Sequence, residues 1–464
     1  MTAEGLGRAV AKMRAAGTDE RAVSVFTDYY HQLEADATGY LPEDTIAPLG
    51  DLRRLEDLAA DDGTVREALA RTVVIKLNGG LGTSMGIAGP KSALAVREGL
   101  TFLDVIARQV LALRRAHGVD LPLLLMDSFR TSAESLAVLA AYPGLAVDAL
   151  PLDFLQNAEP KLRADDLTPV EHPADPDLEW CPPGHGDVYV SLLTSGLLDT
   201  LRGRGIRFAF LSNADNLGAT CDPAIPAWMA AAGVPYVAEV CARTANDRKG
   251  GHLAVRRSDG RTVLRDSAMV VPGEEGYFQD IERHSVFHAN NIWVDLDVLA
   301  TRLAERDGVL GLPIIVNHKT VDPTDPASTP VIQIESAMGA AIEVFEGSQA
   351  LLVPRTRFRP VKTTNELALL RSDLYHFDDS FHVRSTIEGV EPFVDLSAEY
   401  RFVDGFDARF PDGVPSLRRC RSFRVEGDVT FGKGVACVGD VLVRAEEPMT
   451  VPDGAVLGEA VVDA

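Results

Sequence analysis

The sequence predicts an α/β protein with a mainly parallel sheet, followed by a region of short strands at the carboxyl end. Three observations support this. Apolar, β-branched runs alternate with amphipathic helical segments as far as about residue 370. A glycine-rich loop, "KLNGGLGTSMGIAGPKS" (residues 76–92), directly follows the first of those runs, "TVVI". Across residues 376–464 the helical period disappears and β-branched runs are broken by glycine at close intervals, as in "FRVEGDVTFGKGVACVGDVLVRAEEPMTVPDGAVLG".

The elements follow in order. Residues 1–55 read as a helical lead-in, because "RAVSVFTDYYHQLEA" places Val23, Phe26, Tyr30 and Leu33 at spacings of three and four. "TVVIKL" is the first strand. After the glycine loop, "TFLDVIARQVLALRRAHG" puts Leu103, Ile106, Val110 and Leu113 on one helical face, and His117-Gly118 supplies the stop. "LPLLLMDS" is a second strand and "TSAESLAVLAAY" a second helix, with further strands expected at "IRFAFLSNAD", "VPYVAEVCAR" and "LPIIVNHKT".

Composition bounds the function. A chain of 464 residues is long enough for two or three domains with a sizeable core. Its formal net charge of -23 argues against a nucleic-acid partner, so any phosphate must be met by a local cluster of donors. Five scattered cysteines fit neither a disulfide framework nor a zinc site. No apolar run approaches the roughly 20 residues of a membrane span, and no secretory leader is evident, so a cytoplasmic protein is expected.

The glycine loop departs from both common phosphate cradles. Its spacing is G-x-G-x-x-x-G, one residue longer than the dinucleotide fingerprint. "GPKS" places Pro90 before Lys91 and so removes a backbone N–H that a P-loop would use. The loop is therefore either a tight connection or a cradle in which backbone N–H groups approach an anion or a base edge, with Lys91 adding charge at its far end. A second loop, "PPGHGD", presents Gly184, His185 and Gly186. In "FAFLSNADNLG", Asp215 follows an apolar run and sits near a strand's carboxyl end, where open parallel sheets bind ligands. One carboxylate there suits either magnesium shared with substrate phosphates or a helix N-cap.

Many ordered motifs together carry a resemblance: the glycine loop, "PPGHGD", "SGLLDT", "NADNLGAT", "KGG", "NNIW", "IIVNHKT", "IQIESAMGAAI", "VPRTRFRPVKTT" and "GDVTFGKGV". The chain resembles the eukaryotic-type UDP-glucose pyrophosphorylases, the UTP:glucose-1-phosphate uridylyltransferases, over most of its length. The resemblance implies an N-terminal helical segment (1–55), a Rossmann-like nucleotidyltransferase core (56–375) and a C-terminal left-handed parallel β-helix (376–464) that offers a surface for self-association. It implies that Leu77, Asn78, Gly79 and Gly80 line the nucleoside and that Lys91 meets the UTP phosphates. Gln156 would read the uracil edge, helped by the backbone of Gly184, since an amide offers the donor and acceptor that an imide edge requires. His185 would contact the sugar phosphate, Asp215 would hold Mg2+, and Lys362 would reach the phosphates from across the cleft. Asn213 and Asn290 match positions near sugar or ribose hydroxyls.

The implied reaction is attack of a sugar 1-phosphate oxygen on the α-phosphorus of UTP, with Lys91, Lys362 and Asp215 as the catalytic set and no covalent enzyme intermediate. The sugar end departs from the family. "FHANNIW" stands where the family reads "FNTNNLW", so His288 replaces an asparagine. Asp266-Ser267-Ala268-Met269 stands where the family reads "EIAQ". Glucose 1-phosphate is the first expectation for the acceptor. His288 and Asp266 motivate an alternative, a nucleotidyltransferase of specialised metabolism using another sugar or a cyclitol phosphate such as valienol 1-phosphate, with GTP or a relaxed nucleotide choice. A non-catalytic sugar-nucleotide sensor is a third reading, against which the presence of Lys91, Asp215 and Lys362 counts.

Overall fold

The computed structural model describes residues 2–35, 39–244, 247, 250–458 and 462–463. Lys249 of the "KGG" match lies outside them.

Helices α1 (Thr2–Ala15) and α2 (Glu20–Glu34) open the chain, and Asp19 caps α2 by accepting from the Arg21 N–H. Val23, Phe26 and Tyr30 are buried, as their spacing predicts. They pack on Ile314, Ile332 and Ile334. Those isoleucines belong to a small antiparallel sheet of Ile314–Thr320, Pro330–Ser336 and Leu162–Arg163. "LPIIVNHKT" therefore forms a strand, but outside the main sheet.

The main sheet has eight strands: β1 (Arg53–Arg54), β2 (Thr72–Leu77), β3 (Leu123–Asp127), β4 (Asp153–Leu155), β5 (Phe208–Asn213), β6 (Tyr236–Ala242), β7 (Val286–Asp295) and β8 (Gln349–Leu352). Their spatial order is β1-β8-β6-β7-β5-β2-β3-β4. Every pairing is parallel except those of β7, which runs antiparallel between β5 and β6. Alternate residues face two different cores. Val74, Phe208, Phe210 and Trp293 enter one, and Val73, Ile75, Leu211 and Ile292 enter the other. A strand covered on both faces reads as a continuous apolar run, which is why "TVVI" lacks alternation.

Helix α3 (Phe102–His117) covers one face. A capping box between Thr101 and Asp104 starts it, and Gly118 ends it at φ 62°. Among the described residues, no helix is long and apolar enough to cross a membrane.

The chain then changes style. Strands β9 (Phe393–Leu396), β10 (Ser416–Glu426), β11 (Ala436–Arg444) and β12 (Val456–Leu457) stack in parallel, in that order. Their inward side chains, including Phe423, Val425, Val441 and Val443, join the hydrophobic cluster that also contains Val74 and Phe210.

Chain order and spatial order together create the site. The chain runs from β2 outward to β3 and β4, then returns to β5 on the other side of β2. Loops leaving the carboxyl ends of β2 and β5 diverge there and open a crevice. Leu77 and Asn213, the last residues of the two strands, are paired across it.

Candidate active site

Two loops meet at this crevice. The glycine loop leaves β2, turns at a buried Met85, and returns through an antiparallel bridge between Leu81 and Pro90. The Lys91 N–H donates to Gly80 O at 3.3 Å, so the loop's far end lies beside its beginning. From the other side comes the loop after β5. Lys91 Nζ lies 2.9 Å from Asp215 Oδ2, and Lys362 Nζ lies 3.5 Å from the same oxygen. Lys91 and Asp215 are mostly buried, whereas the Lys362 side chain is 59% exposed. The expected catalytic set is thus assembled from three distant segments.

The residues expected at the nucleoside flank this centre. Gly79 lies against Gln156: a Cβ added at Gly79 would sit 2.8 Å from Gln156 Oε1, so only glycine admits the amide there. Gly184 adopts φ +80°, and a Cβ there would lie 2.6 Å from Ser336 O, so this position is closed to other side chains twice over. Gly80 is exposed and Leu77 buried. Asn78 behaves differently. Its side chain turns inward and donates to Asp127 Oδ1 at 2.7 Å and Ser135 Oγ at 2.8 Å, which leaves it to shape the loop from beneath.

The residues expected at the acceptor are organised by a single turn, Met338–Glu343. The Met338 N–H donates to His185 Nδ1 at 3.0 Å. That bond puts the proton of the neutral imidazole on Nε2. The next residue, Gly339, makes room for His288, since a Cβ there would lie 2.7 Å from His288 Cε1. Burial pushes both imidazoles down to about 4, against the opposing pull of the Asp266 carboxylate. His288 Nε2 is buried and has no hydrogen-bond partner. Gly251 joins the remaining pieces: its carbonyl accepts from the His288 N–H, and its Cα faces Asp266 Oδ2. Asn290, at φ 56°, donates to Asn213 Oδ1 at 3.3 Å.

Asp215 Oδ1 is buried with no hydrogen-bond partner, while Oδ2 faces the two lysines. Among the described residues, no group of three or more histidine, cysteine or acidic side chains could hold a metal ion. A single free carboxylate oxygen beside two lysines fits an ion such as Mg2+, which keeps waters and other oxygens in most of its positions.

The family described as UTP--glucose-1-phosphate uridylyltransferase matches residues 23–437. The chain belongs to that family. A uridylyltransferase of this name from Solanum tuberosum is 39% identical over 90% of this chain and 84% of its own length. One from Saccharomyces cerevisiae is 38% identical over 85% of this chain and 78% of its own. Among solved structures, the UDP-glucose pyrophosphorylase from Leishmania major, described in open and closed structures, is 40% identical, covers 99% of both chains, and superposes with a TM-score of 0.92. A UDP-glucose phosphorylase from Trypanosoma brucei is 42% identical over 99% of this chain and 100% of that one, with a TM-score of 0.90. The uridylyltransferase fold is thus shared from end to end.

Sequence reasoning missed the polar scaffold beneath the site. Glu239 and Lys76 are buried charges within apolar strands, and Arg357 is buried between two loops. Lys76 Nζ donates to Ser212 Oγ and Ala219 O, both at 2.7 Å, and burial lowers its pKa to about 7. The available signal was a lone charge inside "TVVIKL" and another inside "VPYVAEVCAR", each a costly residue in a fully covered strand.

Proposed function

We propose that the chain catalyses formation of UDP-glucose and pyrophosphate from UTP and glucose 1-phosphate. The observation that carries this reading is the convergence of Lys91 and Lys362 on Asp215 at the carboxyl edge of the sheet, in a family of UTP-dependent uridylyltransferases.

A phosphate oxygen of the acceptor attacks the α-phosphorus of UTP. A new O–P bond forms as the bond between the α-phosphorus and the bridging oxygen breaks, and pyrophosphate leaves with the electron pair. No proton need be moved at the attacking dianion, so the protein's work is alignment and stabilisation of charge. Lys91 and Lys362 approach the phosphates from opposite sides of the crevice. The loop from Leu77 to Gly80 lines the nucleoside, and the Gln156 amide, aided by the Gly184 backbone, reads the uracil edge. His185 donates from Nε2 to the acceptor's phosphate. Asn213, Asn290, Asp266 and His288 face its hydroxyls. Asp215 Oδ1 would hold Mg2+, which when bound neutralises charge on the α-phosphate and the departing pyrophosphate.

Several further assignments accompany this reading. Residues 1–55, 56–375 and 376–464 are read as its lead-in, catalytic unit and tail, although the lead-in ends in strands, Ile46–Pro48 beside His252–Arg256 and β1 in the main sheet, rather than in helix. The parallel stack β9–β12 is read as a left-handed β-helix, and its exposed Phe393 and Val456 offer a surface for a homo-oligomer. The protein works in the cytoplasm without a nucleic-acid or membrane partner.

Two residues motivate a second reading, which the family relationship does not favour. His288 Nε2 is a buried polar atom awaiting a partner, and together with Asp266 it changes the hydroxyl pattern that the pocket accepts. Another sugar or a cyclitol 1-phosphate would meet it. A pyrophosphate-release assay crossing UTP, GTP, ATP and dTTP with a panel of sugar and cyclitol 1-phosphates tests both readings. UTP with glucose 1-phosphate is expected among the best pairs, and its absence from them overturns the first reading.

A further inference from the structure

Two motifs contain groups that the proposed reaction leaves without a role: "NADNLGAT" with a buried Asn216 and a half-buried Thr220, and "VPRTRFRPVKTT" with a buried Arg357. The two segments are zipped together. The Asn216 Nδ2 amide donates to Arg357 O at 3.1 Å, and Asn216 Oδ1 accepts from the Arg359 N–H at 2.8 Å. Asn216 and Pro360 form an antiparallel bridge. The Val361 N–H donates to Asp215 O at 3.1 Å. Gly218 lets the chains touch, since a Cβ there would lie 2.4 Å from Thr356 O. Asp215 and Lys362 therefore stand on facing runs of backbone.

Beneath the zipper lies one ion pair. Arg357 donates Nε to Glu239 Oε2 at 2.8 Å and Nη2 to Glu239 Oε1 at 2.5 Å. Its Nη2 also donates to Thr220 O at 2.9 Å, so the guanidinium grips the end of the Asp215 loop while its own backbone begins the Lys362 loop. Glu239 accepts two more bonds, from Trp293 Nε1 and Asn291 Nδ2, both at 2.9 Å. Those donors sit on β7 and Glu239 on β6, which ties both loops to the rigid centre of the sheet. Glu239 and Arg357 are almost wholly buried. A buried ion pair adds little net stability over apolar residues of the same volume, so its benefit here lies in geometry.

We infer that Glu239 and Arg357 form a positioning unit that holds the Asp215 carboxylate beside Lys362 at the mouth of the crevice, without touching substrate. This rests on the uridylyltransferase reading above. Arg357→Lys keeps the charge but loses the fork that grips Glu239 and Thr220 together. Glu239→Gln keeps the shape and removes the charge.

The test uses the full chain, UTP, glucose 1-phosphate and magnesium chloride. For both variants, kcat is expected to fall on the order of 10- to 100-fold while KM for each substrate stays within about threefold. The magnesium concentration giving half-maximal rate rises about 10-fold. Calorimetric binding of UTP is unchanged without magnesium and weaker than wild type with it. A merely structural pair would lower Tm while leaving kcat and the magnesium midpoint within about twofold, and that result overturns the inference. Should Arg357→Lys fail to fold, Glu239→Gln and Trp293→Phe, which removes one donor to Glu239, carry the same readouts. If the wild type turns over no substrate pair, the functional reading falls. The positioning inference is then decided by whether the variants change magnesium-dependent UTP binding, which needs no turnover.

Discussion

Lys91 Nζ lies 2.9 Å from Asp215 Oδ2, joining two loops that are 124 residues apart in the chain. With Lys362 on the same oxygen, the site holds two cations against one carboxylate before any phosphate arrives. Asp215→Asn is expected to remove the magnesium dependence and to lower kcat by about 10²-fold or more, with Tm little changed. Lys91→Met and Lys362→Met should each lower kcat by roughly 10²- to 10³-fold, because each loses a charge aimed at the transition state. Steady-state pyrophosphate release across a magnesium titration measures all three. Retention of wild-type kcat by Asp215→Asn would remove that residue from the mechanism.

If His288 faces the acceptor as proposed, its identity should set acceptor preference. His288→Asn replaces a neutral ring by an amide, and the ratio of kcat/KM between glucose 1-phosphate and other ring 1-phosphates is expected to move by about 10-fold or more. A ratio that stays constant across the panel would separate His288 from specificity.

The two buried imidazoles, His185 and His288, also predict a pH profile. Both are held near 4, below the ordinary 6.5, so they stay neutral from pH 5.5 upward and add no titration limb to kcat/KM between pH 6 and 8. The unfolded chain binds more protons between pH 4 and 6.5, so their burial makes stability fall as pH drops through that window. Denaturant midpoints measured from pH 7 down to pH 4.5 check the sign, which His185→Gln and His288→Asn should flatten.

Lys76 gives the opposite end of the range. Its folded pKa of about 7 lies below the ordinary 10.5, so the folded state binds fewer protons and stability rises with pH across that interval. The slope approaches ~1.4 kcal/mol per pH unit for one group. Lys76→Met should lose this rise while the other groups keep theirs, and the difference between wild type and variant in urea denaturation from pH 7 to 9.5 isolates it.

Gly79→Ala tests the nucleoside wall. The added Cβ must displace the Gln156 amide, so KM for UTP is expected to rise about 10-fold with kcat changed less. An unchanged KM would remove the Gln156 amide from base recognition.

Much of the fold was legible locally. "TVVI", "LPLLLMDS" and "FAFLSNAD" announce covered parallel strands, and the period of Leu103, Ile106 and Val110 announces the helix between them. The antiparallel insertion of β7 was not, because strand direction depends on which neighbours a segment meets. "LPIIVNHKT" likewise carries a strand's composition with nothing to say which sheet will take it.

The sequence by itself determined which residue types stand at the strand ends: a glycine loop closing on Lys91, a lone Asp215 and a late Lys362, none of which depends on distant partners for its identity. Only the tertiary structure decided that these three meet on one carboxylate, that Asn78 turns inward, and that Glu239 and Arg357 bind the two loops from below. Residue types and their spacing are local properties, written along the chain. The charge of a buried carboxylate, the tautomer of His185 and the distance from Lys91 to Asp215 are set by burial and by contacts between segments more than a hundred residues apart, which no local pattern encodes.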